Sequence, residues 1–196
     1  MNKKPIKILA FAGSTRHASF NKKLARIACQ LAADAGADTT YIDLKVYPMP
    51  LFDQDLEKEI TLPESAIKIR SMMQRADGFL ISAPEYNSSI SAVLKNTIDW
   101  CSRQQANEEP LICFKNKVIG LLSASPGRLG GLRGLVTVRS VLTTLGSIVI
   151  PTQVAIPTAH EKFTEDGYLI EDREQAMVEN LVTELMAILN KLRVSK

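Results

Sequence analysis

The chain has 196 residues, 45% of them apolar and 23% charged, with a net charge of +3. That length and balance suit one globular domain over residues 1–196 and exclude a chain disordered throughout. No apolar run nears the roughly 20 residues of a membrane span, and the weak positive balance has no long basic run that would point to nucleic acid.

The opening Met1-Asn2-Lys3-Lys4-Pro5-Ile6 has the charge of a signal n-region. The apolar stretch after it is too short for a cleavable h-region, because Gly13-Ser14-Thr15-Arg16 interrupts it. The three cysteines, Cys29, Cys101 and Cys113, are odd in number and form no CxxC pair, which argues against a disulfide framework or zinc ribbon. A reducing, cytoplasmic setting is the expectation.

Along the chain, short apolar runs alternate with helical periodicity. Ile6–Phe11 reads as a strand buried on both faces, and Asn21–Ala35 as a helix with Leu24, Ile27, Ala28 and Leu31 on one side. Thr39–Asp43 is a second strand. A helix follows Pro63, with Ala66, Ile69, Met73 and Ala76 at its spacing. Gly78–Ser82 is the third strand, Val118–Leu122 the fourth and Ser147–Ile150 the fifth. Helices carrying Val93, Leu94, Ile98 and Cys101, and then Leu135, Val138, Leu142 and Leu145, lie between them. A last helix spans about Glu174 to Leu192. Leu44–Leu62 and Pro151–Asp172 read as long loops.

Five β-α units predict a parallel sheet with right-handed crossovers and helices on both faces. The expected architecture is α/β, a doubly wound three-layer sandwich. Ligands of such a sheet bind beyond the carboxyl ends of its strands, so the loops after strands one, three and four are the candidates.

The first of these loops reads Gly13-Ser14-Thr15-Arg16-His17-Ala18-Ser19-Phe20-Asn21. Hydroxyls, an arginine and free N–H groups at a helix N-terminus suit a phosphate dianion. Helix capping by Ser19 or Asn21 would explain one polar residue but not the cluster. Neither the dinucleotide GxGxxG nor the P-loop GxxxxGK[ST] is present, which leaves a mononucleotide such as FMN. The loops Ala83–Ser91 and Ser123–Gly131 offer backbone amides, hydroxyls and Tyr86 for a flat heterocycle with polar edges. Taken singly, each loop is an ordinary turn; the three together at one sheet edge point to a ligand.

These three segments resemble the signatures of the NAD(P)H-dependent FMN reductases of flavodoxin-like fold, the group that includes quinone and chromate reductases and small azoreductases. Gly13, Ser14, Arg16, Ser19 and Asn21 match every fixed position of G-S-x-R-x-x-S-x-N. Pro84, Glu85, Tyr86, Asn87, Ser89, Leu94, Lys95, Asn96, Ile98, Asp99 and Trp100 match P-E-Y-N-G-S-x-P-x-x-L-K-N-x-I-D-W. Ser123, Ser125, Pro126, Gly127, Gly130 and Gly131 match S-x-S-P-G-x-x-G-G. Ser88 stands where the family has glycine and Ser91 where it has proline, and Ser91 can cap the following helix instead.

The resemblance implies strand order 2-1-3-4-5. It also implies FMN as cofactor, NADPH or NADH as cosubstrate, and a homodimer or homotetramer with the site near a subunit boundary. Gly13, Ser14, Thr15, Arg16, Ser19, Phe20 and Asn21 would surround the phosphate. Pro84, Glu85, Tyr86, Asn87 and Ser88 would hold the ribityl chain and ring, and Ser125 and Gly127 the opposite edge. The flavin carries the chemistry, so no separate catalytic residue and no metal is expected. Lys95, Asn96, Asp99 and Trp100 look structural.

His17 and His160 read as loop residues. Arg128 and Arg133 suit either cosubstrate phosphates or solvent. The activity implied is hydride transfer through flavin N5 to quinones or related small acceptors (azo compounds, chromate, free flavin) by a ping-pong cycle. An FMN-binding electron carrier or sensor without NAD(P)H turnover is the alternative, and a flavin-free interaction protein would leave Arg16 and the three loops unexplained.

Overall fold

A computed structural model describes residues 4–194, so the Met1–Lys3 part of the leader reading lies outside the described residues. The first strand, β1 (Lys7–Ala12), shows how the sheet is buried. Ile8 and Ala10 point into one apolar cluster, Leu9 and Phe11 into another, as the two-residue period of a strand covered on both faces requires. β2 (Asp38–Asp43), β3 (Gly78–Ser82), β6 (Val118–Ala124) and β7 (Ile148–Ile156) complete a parallel five-stranded sheet. Its order is β2-β1-β3-β6-β7. Numbered among these five strands alone, that is the expected 2-1-3-4-5.

On one face lie α1 (Phe20–Asp34) and α6 (Asp172–Val194), which bury Leu24, Ala28, Val178, Leu181 and Leu185 against Leu80 and Leu122. On the other lie α3 (Glu64–Arg75), α4 (Ala92–Ser102) and α5 (Leu132–Thr144), with Ile69, Met73, Ile98, Val138 and Leu142 against Phe79 and Leu121. Two apolar clusters separated by the sheet make the three layers.

Three details depart from the sequence reading. The fifth strand does not stop at Ile150 but continues to Ile156, so only the later part of the Pro151–Asp172 segment is loop. Pro151 is tolerated because β7 is an edge strand and because its pairing slips there: Ile119 pairs with Val149, whereas Leu121 pairs with Gln153. Arg139 reaches the carbonyls of Val149 and Pro151 and the Gln153 side chain around that bulge.

Second, the Leu44–Leu62 connection carries a 3-10 turn (Leu44–Val46) and a short helix, α2 (Gln54–Ile60), capped by Asp53. Trp100, fully buried, donates its indole N–H to Pro50 O at 2.8 Å. Asn96 holds Pro50 O and Phe52 N–H at 2.9 and 2.8 Å. Phe52 packs edge-on to Trp100 at 5.0 Å. These α4 residues pin the long connection, which is the structural role expected of them.

Third, the loop after β3 contains a small antiparallel hairpin, β4 (Glu85–Tyr86) with β5 (Ser89–Ile90). Among the described residues no helix is long and apolar enough to cross a membrane. Cys29, Cys101 and Cys113 are all buried as free thiols, and burial pushes each thiol pKa up, the behaviour of small core residues.

Candidate functional site

The loops that follow β1, β3 and β6 meet at the carboxyl edge of the sheet and enclose a cavity of about 230 Å³. Ser14, Arg16, Ser19, Phe20 and Asn21 line it from the first loop, and Pro84, Glu85 and Tyr86 from the second. Ser125 lines it from the third, with Ala124 and Pro126 beside it. Of the other residues singled out, Thr15, Asn87, Ser88 and Gly127 are exposed outside its wall, and Gly13 is buried and does not line it. A larger cavity of about 400 Å³ opens near the amino ends of β3, β6 and β7, the end of a doubly wound sheet that does not bind ligands.

The first loop leads into the N-terminus of α1. Ser19 caps α1 through its backbone and accepts the Lys22 N–H on its hydroxyl. The N–H groups of Phe20 and Asn21, in the first turn, face no carbonyl of the helix. Ser14 Oγ accepts the Arg16 N–H at 3.3 Å, and the Arg16 guanidinium folds back on Ala18 O at 2.6 Å. Arg16 itself is exposed and has no carboxylate partner among the described residues. Phe20 stacks on Phe163 at 5.7 Å, so the segment after β7 buttresses this wall.

Gly13 is required by close approach: a Cβ there would stand 2.8 Å from Leu94 Cβ. Its carbonyl accepts the Ser91 hydroxyl at 2.6 Å, while Ser91 Oγ also caps α4 by accepting the Leu94 N–H at 3.3 Å. The serine that replaces the family's proline therefore starts the helix and ties the second loop to the first.

Asn21 has a bracing geometry. It is buried, its Nδ2 donates to Ala124 O at 2.8 Å, and its Oδ1 accepts from Ser82 Oγ and Ala124 N–H at 2.9 and 3.0 Å. One side chain thus joins the ends of α1, β3 and β6. Ser123 adds a bond to Ala83 O at 2.7 Å, and Gly131 (φ +91°) passes so close that a Cβ would lie 2.0 Å from Ser123 Oγ.

Glu85 lies at the wall of the cavity, but its carboxylate is taken by α5. Oε1 accepts from Arg133 Nε and Nη2 at 3.1 and 2.9 Å, and Oε2 from Gly134 N–H at 3.0 Å. Burial pushes its pKa up, but the Gly134 and Arg133 bonds outweigh burial and hold the carboxyl below its ordinary range. Arg133 is accordingly spent on Glu85, whereas Arg128 is exposed and without an ion-pair partner among the described residues. His17 is exposed in its loop, and His160 pairs with Glu161 at 3.3 Å far along the chain.

Next to Glu85, Tyr86 is 58% exposed at the mouth, and Asn87 and Ser88 form the hairpin tip with φ of +50° and +64°. Two positive values are those of a type I′ turn, in which glycine is preferred at the second position and serine is strained. Ala124 and Pro126 also belong to the wall. Pro126 is a fixed position of the third motif, whereas Ala124 is marked only by its place between Ser123 and Ser125.

Residues 6–161 match the model of the NADPH-dependent FMN reductases. The chain belongs to that family. A probable NADPH:quinone oxidoreductase 2 of Oryza sativa is 30% identical over 193 residues, covering 97% of this chain and 92% of the relative. An NAD(P)H-dependent FMN reductase of Pseudomonas aeruginosa is 31% identical over 189 residues, covering 96% and 97%. Among solved structures, the flavoenzyme NAD(P)H:(acceptor) oxidoreductase FerB of Paracoccus denitrificans superposes with a TM-score of 0.80 at 23% identity, covering 95% and 98%. Family membership makes this chain an NAD(P)H-dependent oxidoreductase with FMN as its cofactor.

The donor set fits that cofactor. A phosphate dianion is satisfied by hydroxyls, a guanidinium and helix-terminal N–H groups, and Ser14, Arg16, Ser19, Phe20 and Asn21, which carry them, line this cavity. The one carboxylate in the wall carries its own counter-charge, so it does not repel the phosphate.

Proposed function

We propose that the whole chain acts as one FMN-binding domain that reduces quinones with NAD(P)H in a ping-pong cycle, in the cytoplasm. The supporting observation is the convergence of three loops on one cavity, with phosphate donors on one wall and Tyr86 at its open mouth. FMN, when bound, would supply the redox chemistry, two-electron exchange through N5. The balance is NAD(P)H plus a quinone plus a proton, giving NAD(P)⁺ and a hydroquinone.

The residues of this chain bind and orient. Ser14, Arg16 and Ser19, with the first N–H groups of α1, take the phosphate, while Asn21 keeps that loop in register with β3 and β6. Pro84–Ser88 and Ser125–Gly127 address the ribityl chain and ring through backbone groups, with Thr15 and Gly13 shaping the phosphate loop. Tyr86 borders the face over which NAD(P)H and acceptor alternate, and Arg128 offers a charge to the cosubstrate's phosphates. Azo compounds, chromate and free flavin are further acceptors of the same two electrons. Leu129, Leu132 and Val136, exposed before and along the start of α5, support a homodimer or homotetramer with the site near a subunit boundary.

The test is the visible spectrum of the purified protein under anaerobic NADPH. A flavin band that NADPH bleaches and a quinone restores is the expected result. A yellow protein that NADPH leaves unbleached would be an electron carrier instead, and a colourless protein that takes up no FMN would overturn the reading.

A further inference from the structure

We infer that Glu85 is a positioning residue, an internal anion that plugs the amino end of α5 and thereby sets the place of the flavin-ring hairpin. This inference rests on the FMN reading of the site.

The hairpin has only two pairs, Glu85 with Ile90 and Tyr86 with Ser89, and its left-handed tip is strained at Ser88. A two-stranded hairpin of that size does not hold itself in water. What holds it is α5. The Glu85 side chain is 9% exposed, and both oxygens are used, by the Arg133 guanidinium and the Gly134 N–H. Those donors lie in the first turn of α5, where N–H groups lack helical partners and the helix dipole favours an anion. Gly134 permits the contact, since a Cβ there would stand 3.2 Å from Glu85 Cβ and 3.3 Å from Ser89 O. The helix therefore touches both strands of the hairpin at once. The next residue, Tyr86, is the one at the cavity mouth. Glu85 acts on the ligand through the backbone it anchors, and its charge is turned to α5 and neutralised there.

The experiment compares the parent with Glu85→Ala, Glu85→Gln and Arg133→Ala as full chains. Hydrogen exchange of residues 85–91 is measured in protein stripped of flavin, and FMN affinity by quenching of flavin fluorescence. Glu85→Ala is expected to speed hairpin exchange and to weaken FMN binding by about tenfold each, as loss of a charge-assisted anchor implies. Exchange at residues 14–19 should stay unchanged. Glu85→Gln keeps an acceptor for Gly134 but not the charge, and Arg133→Ala keeps the Gly134 bond, so both should fall between. If Glu85→Ala does not fold, these two variants carry the test. Exchange unchanged within twofold in all variants overturns the inference. Weaker FMN binding with unchanged hairpin exchange also overturns it, because Glu85 would then touch the ligand directly. If the parent takes up no FMN, the functional reading fails, while the exchange measurement still decides the anchor.

Discussion

Between Gly13 and Asn21 most polar groups are held by near neighbours: Ser19 caps its own helix, Ser14 takes the N–H of Arg16, and Arg16 bends onto Ala18. Between Pro84 and Ser91 the corresponding bonds cross the chain. Glu85 is held from 48 and 49 residues away, and Ser91 reaches Gly13 across 78. Both loops border one cavity, yet one is prepared locally and the other is placed by its surroundings. A locally built loop tolerates the loss of an exposed side chain without unfolding. A loop placed from outside is sensitive to residues that never meet the ligand.

Asn21 is where that contrast breaks most sharply, because it sits in the local loop but bonds to β3 and β6. Asn21→Ala orphans a buried N–H and a carbonyl at Ala124 and should cost about 3 kcal/mol of unfolding free energy, measured by urea denaturation. Arg16→Ala tests the other side. It should weaken FMN binding by about 10- to 100-fold, the worth of a charge-assisted bond, with an unchanged urea midpoint. A shifted midpoint would mean that the first loop is not self-supporting.

Ser91→Ala removes a helix cap and the tie between the loops, and about 1–2 kcal/mol of stability should go with it. Ser88→Gly relieves the left-handed strain at the hairpin tip and should raise stability by about 1 kcal/mol, again by urea titration. The smallest effect is in acid. The folded carboxyl of Glu85 is depressed, so its contribution is complete above the unfolded value of about 4.3 and is lost as pH falls through the lower folded value. It faces the Arg133 guanidinium and the amino end of α5. A stability profile from pH 6 to 3 should therefore fall less steeply for Glu85→Gln than for the parent.

Much of the frame was legible from residue pattern. Ile8, Leu9, Ala10 and Phe11 read as a strand covered on both faces and are one, and the loops after strands one, three and four do converge. Less legible were elements that pattern does not encode. Pro151 ended the predicted fifth strand because a proline normally breaks a ladder, but an edge position and a bulge admit it. The Glu85–Tyr86 and Ser89–Ile90 strands are two residues each, too short for any period to show. Ala124 carries no chemistry that would mark it as cavity wall.

Residue order alone encodes the alternation of strands and helices, the sheet edge that carries the loops, and the hydroxyls and guanidinium clustered at Ser14, Arg16 and Ser19. Periodicity and helix capping act over a few residues and are written in consecutive positions. That Asn21 braces three elements, that Ser91 ties two loops, and that the Glu85 carboxylate turns to α5 emerges once the chain has folded. Those outcomes depend on which distant donors come within 3 Å once the sheet has formed, and bonds spanning 48 to 103 residues leave no local period in the chain.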